Sequence, residues 1–136
     1  MTLFRWDSKY SVNIGEIDRQ HRKLFELFNE LYQAMQQGHG DEVTTAKVLA
    51  SVVAYTTYHF EYEENLLRQY GYPEEKAHRA EHAKLTEQAE ALVRKLKEGR
   101  SEVAMATLKF LCDWLNNHIL GSDRRFAPFL IDKGAR

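Results

Sequence analysis

The sequence predicts an all-α fold: an up-down antiparallel four-helix bundle with an N-terminal arm and a short C-terminal segment. Three observations carry this expectation. Apolar residues recur at spacings of three and four along four long stretches. Helix breakers separate those stretches: Gly38 and Gly40, then Gly71 with Pro73, then Gly99. The connections so marked are short, and short connections join antiparallel neighbours. At 136 residues the chain suits one domain, 1–136, large enough to bury a core without disulfides. The arm takes 1–15, the bundle 16–121 and the C-terminal segment 122–136.

The first helix is expected from Glu16 to Gln37, with Ile17, Leu24, Phe28, Leu31 and Met35 on one face. His21 falls in the same series. The second runs from Asp41, a suitable N-cap, to Tyr70. Val52, Tyr55, Tyr62 and Leu66 make its stripe, and His59 joins them. The third starts at Pro73, whose fixed φ and following Glu74 and Glu75 suit a first turn, and ends at Glu98. His78 and His82 open a series continued by Leu85, Ala89, Leu92 and Leu96. The fourth runs from Ser101, again a cap residue, to Gly121. Val103, Thr107, Phe110 and Trp114 lead to His118.

Composition narrows the class of function. Hydrophobic residues make up 43% and charged residues 29%, the balance of a globular protein. A formal net charge of −1 offers no broad basic face, so neither nucleic acid nor an anionic membrane is expected as a partner. No apolar run approaches the ~18 residues of a membrane span. The opening MTLFRWDSKY lacks the charged-then-apolar pattern of a secretory signal. A lone cysteine, Cys112, forms no internal disulfide and fits a reducing compartment. The expectation is a cytoplasmic monomer.

Five of the six histidines thus lie on inward stripes, spread over all four helices. His39, between two loop glycines, is expected to be solvated. One buried histidine is most often a hydrogen-bonded core residue. Five in one small core, each needing partners for two ring nitrogens, are a heavy polar load. A metal site accounts for them together, with one nitrogen on the metal and the other on an acceptor behind it. HFEYE places Glu63 one turn after His59. Glu61 lies about 160° round the helix from His59, and Glu64 is off the inner face, so Glu63 is the better carboxylate ligand. Two six-coordinate ions offer about twelve positions. Five imidazoles, two bridging acids and a bridging oxide or hydroxide would fill about eleven, leaving one open for a diatomic ligand. In HILGSD the acid, Asp123, follows His118 by five residues rather than four. Loosening at Gly121, or a local i to i+5 bulge, would return it to the inner face.

The motif order His21 in IDRQH, His59 and Glu63 in HFEYE, His78 and His82 in HRAEH, and His118 and Asp123 in HILGSD resembles the hemerythrin family. The match is to its single-domain bacterial members and covers almost the whole chain. The five-residue offset of the last motif belongs to that pattern. The resemblance implies a non-haem di-iron centre that binds dioxygen reversibly, for transport, storage or delivery. By carry-over, His78, His82 and His118 would hold one iron, His21 and His59 the iron with the open position, and Glu63 and Asp123 would bridge. An oxygen pocket would be made by Phe60, Trp114, Leu115 and Ile119, with Trp6 closing it. The alternative is a di-iron enzyme or sensor handling peroxide, nitric oxide or iron. A ligand set rich in neutral imidazole, with no further inward general acid, favours binding over catalysis. The sequence names no oxygen-consuming recipient.

Overall fold

Four long helices pack as neighbours in sequence order, and the first closes against the fourth. The computed structural model describes residues 5–37, 42–98 and 101–136. The helices are α1 Gly15–Gln37, α2 Glu42–Gln69, α3 Glu75–Lys97 and α4 Ser101–His118. His39 and the expected cap Asp41 lie outside the described residues. A π-turn, Ile119–Asp123, continues α4 into a further helix, α5, at Arg124–Asp132. The fourth stretch therefore does not stop at Gly121, and the C-terminal segment is itself helical. Pro128 sits inside α5 and does not prevent it.

The arm is held to the bundle by side chains. Asp7 caps a 3-10 turn, Ser8–Tyr10, by accepting from the Lys9 N–H. Asp18 in the first turn of α1 accepts from the Val12 N–H at 2.8 Å and the Ser11 hydroxyl at 2.6 Å. Tyr10 donates to Asn116 Oδ1 on α4 at 2.5 Å. The breaker at Gly71 has a defined task. Its φ of 71° lets α2 end with the Tyr72 N–H on Leu67 O and the Gly71 N–H on Arg68 O. That is a Schellman end, and it brings Tyr72 back over Leu67.

Burial forms two apolar clusters. One contains Leu24, Phe25, Phe28, Leu31, Val52, Phe60, Leu85, Leu92, Leu108, Leu111, Leu115 and Ile119. The other contains Val12, Ile14, Ile17, Leu67, Tyr72, Phe126, Ala127 and Leu130. On α1 the expected stripe is buried as far as Leu31, and Met35 packs at its edge. Two expectations are corrected. On α2 the core residue is Leu67, wholly buried, while Leu66 lies at the margin. On α4 Phe110 is 53% exposed, and the inward series is Leu108, Leu111, Leu115 and His118. Phe110 stands about 140° round the helix from Leu115, so it cannot share that face. Leu67→Ala should cost about 2–5 kcal/mol of unfolding free energy, as removal of buried methyl groups does. Phe110→Ala should cost under about 1 kcal/mol. Urea titration of the two variants against the parent checks the register of both helices.

Candidate metal centre

Between the two clusters lies a layer of polar residues with almost no exposure. His21 comes from α1, His59 and Glu63 from α2, His78 and His82 from α3, His118 from α4 and Asp123 from the π-turn. Each is 5% exposed or less. All seven sequence-expected ligands are thus brought together. Their donor atoms form two groups in which every atom lies within 4.8 Å of the others. One group is Glu63, His78, His82, His118 and Asp123; the other is His21, His59, Glu63 and Asp123.

The two acids belong to both groups, and their oxygens divide between them. Glu63 Oε2 lies 2.8 Å from His59 Nε2 and 3.2 Å from His21 Nε2. Its Oε1 lies 3.0 Å from His78 Nε2 and 3.2 Å from His82 Nε2. Asp123 Oδ2 faces His21 Nε2 at 3.0 Å. Its Oδ1 faces His78 Nε2 and His118 Nε2, each at 3.1 Å. Several of these close atoms are not aligned as hydrogen bonds. His82 Nε2, His118 Nε2 and both Asp123 oxygens are buried without a hydrogen-bond partner. Orphaned buried donors and acceptors are costly, and a shared cation satisfies them together. Imidazole nitrogen and carboxylate oxygen suit a first-row transition metal.

Asp123 reaches this layer through the backbone. On a regular α-helix a residue five after His118 would point about 140° away. The π-turn at Ile119–Asp123 widens one turn, and Asp123 becomes fully buried. Of the two devices open to the sequence, the i to i+5 bulge is the one used. Gly121 has no positive φ and open space where a Cβ would stand, so its lack of a side chain is not what turns the chain.

The buried acids and imidazoles of this layer shift one another's acidity. Burial pulls the His21 imidazole down, but the Asp123 and Glu63 carboxylates close to its Nε2 outweigh it and raise its pKa to about 9. The same opposition raises His78 to about 10. Burial keeps His59 below its ordinary value despite Glu63. Burial alone would raise Glu63, yet His59, His21 and His78 hold its carboxyl well below the usual range. Asp123, pushed up by burial and by Glu63, is likewise held low by His118 and His21. Glu63 and Glu64 likewise raise His82 against its burial, so positive imidazoles face the two carboxylates in this layer.

Groups behind the histidines escaped the sequence reading. Gln20 Oε1 lies 2.7 Å from His59 Nδ1, and Glu64 Oε2 lies 3.0 Å from His82 Nδ1. Glu81 Oε2 lies 2.9 Å from His118 Nδ1. Glu64 was set aside as off the inner face. Its Cα is, but a glutamate side chain is long enough to reach back. The presence of Glu81 inside HRAEH was the available signal. Of the expected pocket residues, Phe60, Leu115 and Ile119 are buried in the larger cluster and Trp114 is half-buried. The Phe60 ring stacks on His82 at 3.8 Å and the Trp114 ring on His118 at 5.0 Å. Trp6 packs on Tyr10 and Phe25 at the margin of that cluster, with the Arg22 guanidinium over its ring.

Known proteins resemble this chain. The family model described as the hemerythrin HHE cation binding domain matches residues 12–130. A bacteriohemerythrin of Methylococcus capsulatus is 34% identical over 96% of this chain and 98% of its own. One of Stenotrophomonas maltophilia is 32% identical over 93% of this chain and 81% of its own. A hemerythrin-like protein of Naegleria gruberi is 30% identical over 93% of each chain. Among solved structures, a wild-type hemerythrin aligns with a TM-score of 0.85 at 33% identity, covering 94% of this chain and 98% of that one. A variant with one leucine changed to alanine gives 0.86 at the same identity, over 96% and 98%. The match spans the arm's end, all four long helices and most of α5, so the layer of histidines and acids sits in a chain that belongs to the hemerythrin family.

Proposed function

We propose that this chain binds dioxygen reversibly at a non-haem di-iron centre, serving oxygen transport, storage or delivery rather than catalysis. The observation that carries this reading is the division of the two acids, each offering one oxygen to each histidine group. Such a pair bridges two ions. In this reading His78, His82 and His118 hold one iron. His21 and His59 would hold the other, where fewer protein donors leave room for a ligand. Iron supplies the electrons that dioxygen takes up on binding and returns on release. The protein supplies a dry, apolar wall from Phe60, Leu115 and Ile119, with Trp114 over His118 and Trp6 farther out. Membership of a family described as cation binding and the imidazole-rich donor set support this reading. The chain acts as a monomer in the cytoplasm, a setting consistent with a buried, unpaired Cys112. Among the described residues no helix is long and apolar enough to cross a membrane.

The reduced, iron-loaded protein should hold two irons per chain and be nearly colourless. In air it should gain a visible absorption band that disappears under vacuum. Metal analysis and anaerobic-to-aerobic spectra test this. One iron per chain, or a band that never reverses, would sink the proposal, and steady consumption of peroxide or nitric oxide would turn it towards the enzyme alternative.

Iron uptake should also release protons. Metal-binding imidazole is neutral. His21 and His78, with pKa values of about 9 and about 10, carry protons at pH 7 that ferrous iron must displace. Glu63 and Asp123 are already ionised and His59 already neutral, so they release none. Affinity should therefore fall with acid and rise with pH, flattening once the medium passes about 9 to 10. Anaerobic calorimetry at pH 7 in buffers of different ionisation enthalpy should show at least two protons released per chain. A buffer-independent heat would contradict this.

The apolar wall should set how long the oxygenated form lasts, because water or a proton reaching the site carries the ligand away and leaves ferric iron. Leu115 is 1% exposed and is not among the metal-binding groups. Leu115→Ala should keep full iron content and a near-normal first spectrum but decay faster to the ferric form. Its stability should fall by about 2–5 kcal/mol. An unchanged autoxidation rate in folded, iron-loaded variant would remove Leu115 from the wall.

A further inference from the structure

The ring nitrogens that face away from the centre have unequal partners. His82 Nδ1 lies 3.0 Å from the Glu64 carboxylate. His118 Nδ1 lies 2.9 Å from Glu81 Oε2, close enough for ion pairing although off the line of a hydrogen bond. The other Glu81 oxygen accepts from the Ser122 hydroxyl at 3.0 Å, which fixes the carboxylate in place. Both histidines belong to the group with His78. In the second group His59 Nδ1 meets the neutral amide oxygen of Gln20 at 2.7 Å. His21 Nδ1 is buried with no hydrogen-bond partner. Two negative charges therefore stand behind the histidines of one group. In the other group the nearest such charge is one residue farther out, since Gln20 donates its amide to Glu16 Oε2 at 2.8 Å, and among the described residues no carboxylate directly contacts Nδ1 of His21 or His59.

This difference has a chemical effect. A carboxylate beside the far nitrogen makes the ring a stronger donor, through a hydrogen bond as at Glu64 or through charge alone as at Glu81, and so favours the higher charge on a bound metal. A neutral amide does this weakly. We propose that Glu64 and Glu81 are positioning residues that order the two oxidations. The iron held by His78, His82 and His118 loses its electron first, and Gln20 leaves the iron held by His21 and His59 to lose its electron second. This rests on the di-iron reading above. An iron held by His78, His82 and His118 would give up its electron to a one-electron oxidant first, Fe(II) becoming Fe(III). A second oxidant takes the electron of the two-histidine iron. The order protects the iron with the open position from passing oxidants.

The test is an anaerobic titration of the diferrous protein with ferricyanide, which takes one electron per equivalent and becomes ferrocyanide. Electron paramagnetic resonance measures the half-oxidised fraction, and Mössbauer spectra of the three-histidine and two-histidine irons identify which is ferric. Wild type should accumulate the half-oxidised state with the three-histidine iron ferric. Glu64→Gln and Glu81→Gln remove charge at nearly constant shape. Each should raise the first potential and lower the constant for forming the half-oxidised state about tenfold, the lower end of the usual effect of losing such a partner. Gln20→Glu, made together with Glu16→Gln because Glu16 otherwise faces the new carboxylate, should lower the second potential instead, and shrink the same constant. A packing defect would not move the two potentials in opposite directions. Should the glutamine variants fail to load iron, Gln20→Glu decides alone. Unmoved potentials in variants holding two irons, or a ferric two-histidine iron in half-oxidised wild type, overturn this inference while leaving reversible oxygen binding intact. A wild type that takes up no iron pair overturns both.

Discussion

Everything in this molecule is arranged around the need to keep five imidazoles and two carboxylates out of water together. Each alone would be expensive to bury. Together they offset one another's desolvation, and the shifted acidities of His21, His78, Glu63 and Asp123 record that mutual dependence. Four helices are the natural frame for this. Each contributes one or two polar side chains at a common level, and leucine and phenylalanine fill the same faces a turn away on either side. The apolar residues do not merely surround the centre. Their burial stabilises helices that must carry charge inward.

The π-turn shows how local backbone and site are coupled. Without it Asp123 would face outward, and the donor groups would lose one of the two acids that they share. The same turn redirects the chain so that Phe126, Ala127 and Leu130 of α5 close the lower end against Val12, Ile14 and Ile17. One widened turn therefore places a ligand and builds the floor beneath it. Phe126 touches both worlds, lying edge-on to the His78 ring at 5.3 Å and to Tyr72 at 6.3 Å.

Much of this was legible from spacing alone. The histidines stood out because they fell in register with leucine and phenylalanine, and periodicity reports the direction of Cβ. The errors arose where direction is not enough. Leu66 and Leu67 are adjacent and chemically identical, so the stripe could be drawn through either. Phe110 is large and apolar, yet composition says nothing about which of Phe110 and Leu111 the neighbouring helix covers. Glu64 and Glu81 start off the inner face and return through flexible side chains, and Gln20 approaches His59 from another helix. Such contacts depend on tertiary distance, which no repeat encodes. α5 was hidden because Pro128 reads as a breaker, whereas helix packing against a ready apolar floor outweighs the loss of one hydrogen bond.

The position of the polar layer also governs how the chain comes apart. The two apolar clusters meet only across it: Ile17 lies below His21 and Leu24 above, and Leu67 lies below Glu63 and Phe60 above. Apolar cores transmit cooperativity through continuous contact, and here that continuity is interrupted by a sheet of charge. Bound ions would rivet the two halves into one cooperative unit, since their binding free energy counts only when both halves are folded. Stripped of them, the lower half, which holds α5 and the end of the arm, becomes a separate and weaker foldon. Metal retention and global cooperativity would then be the same property seen from two sides, and the protein's lifetime would depend on the supply of its metal as much as on its leucines.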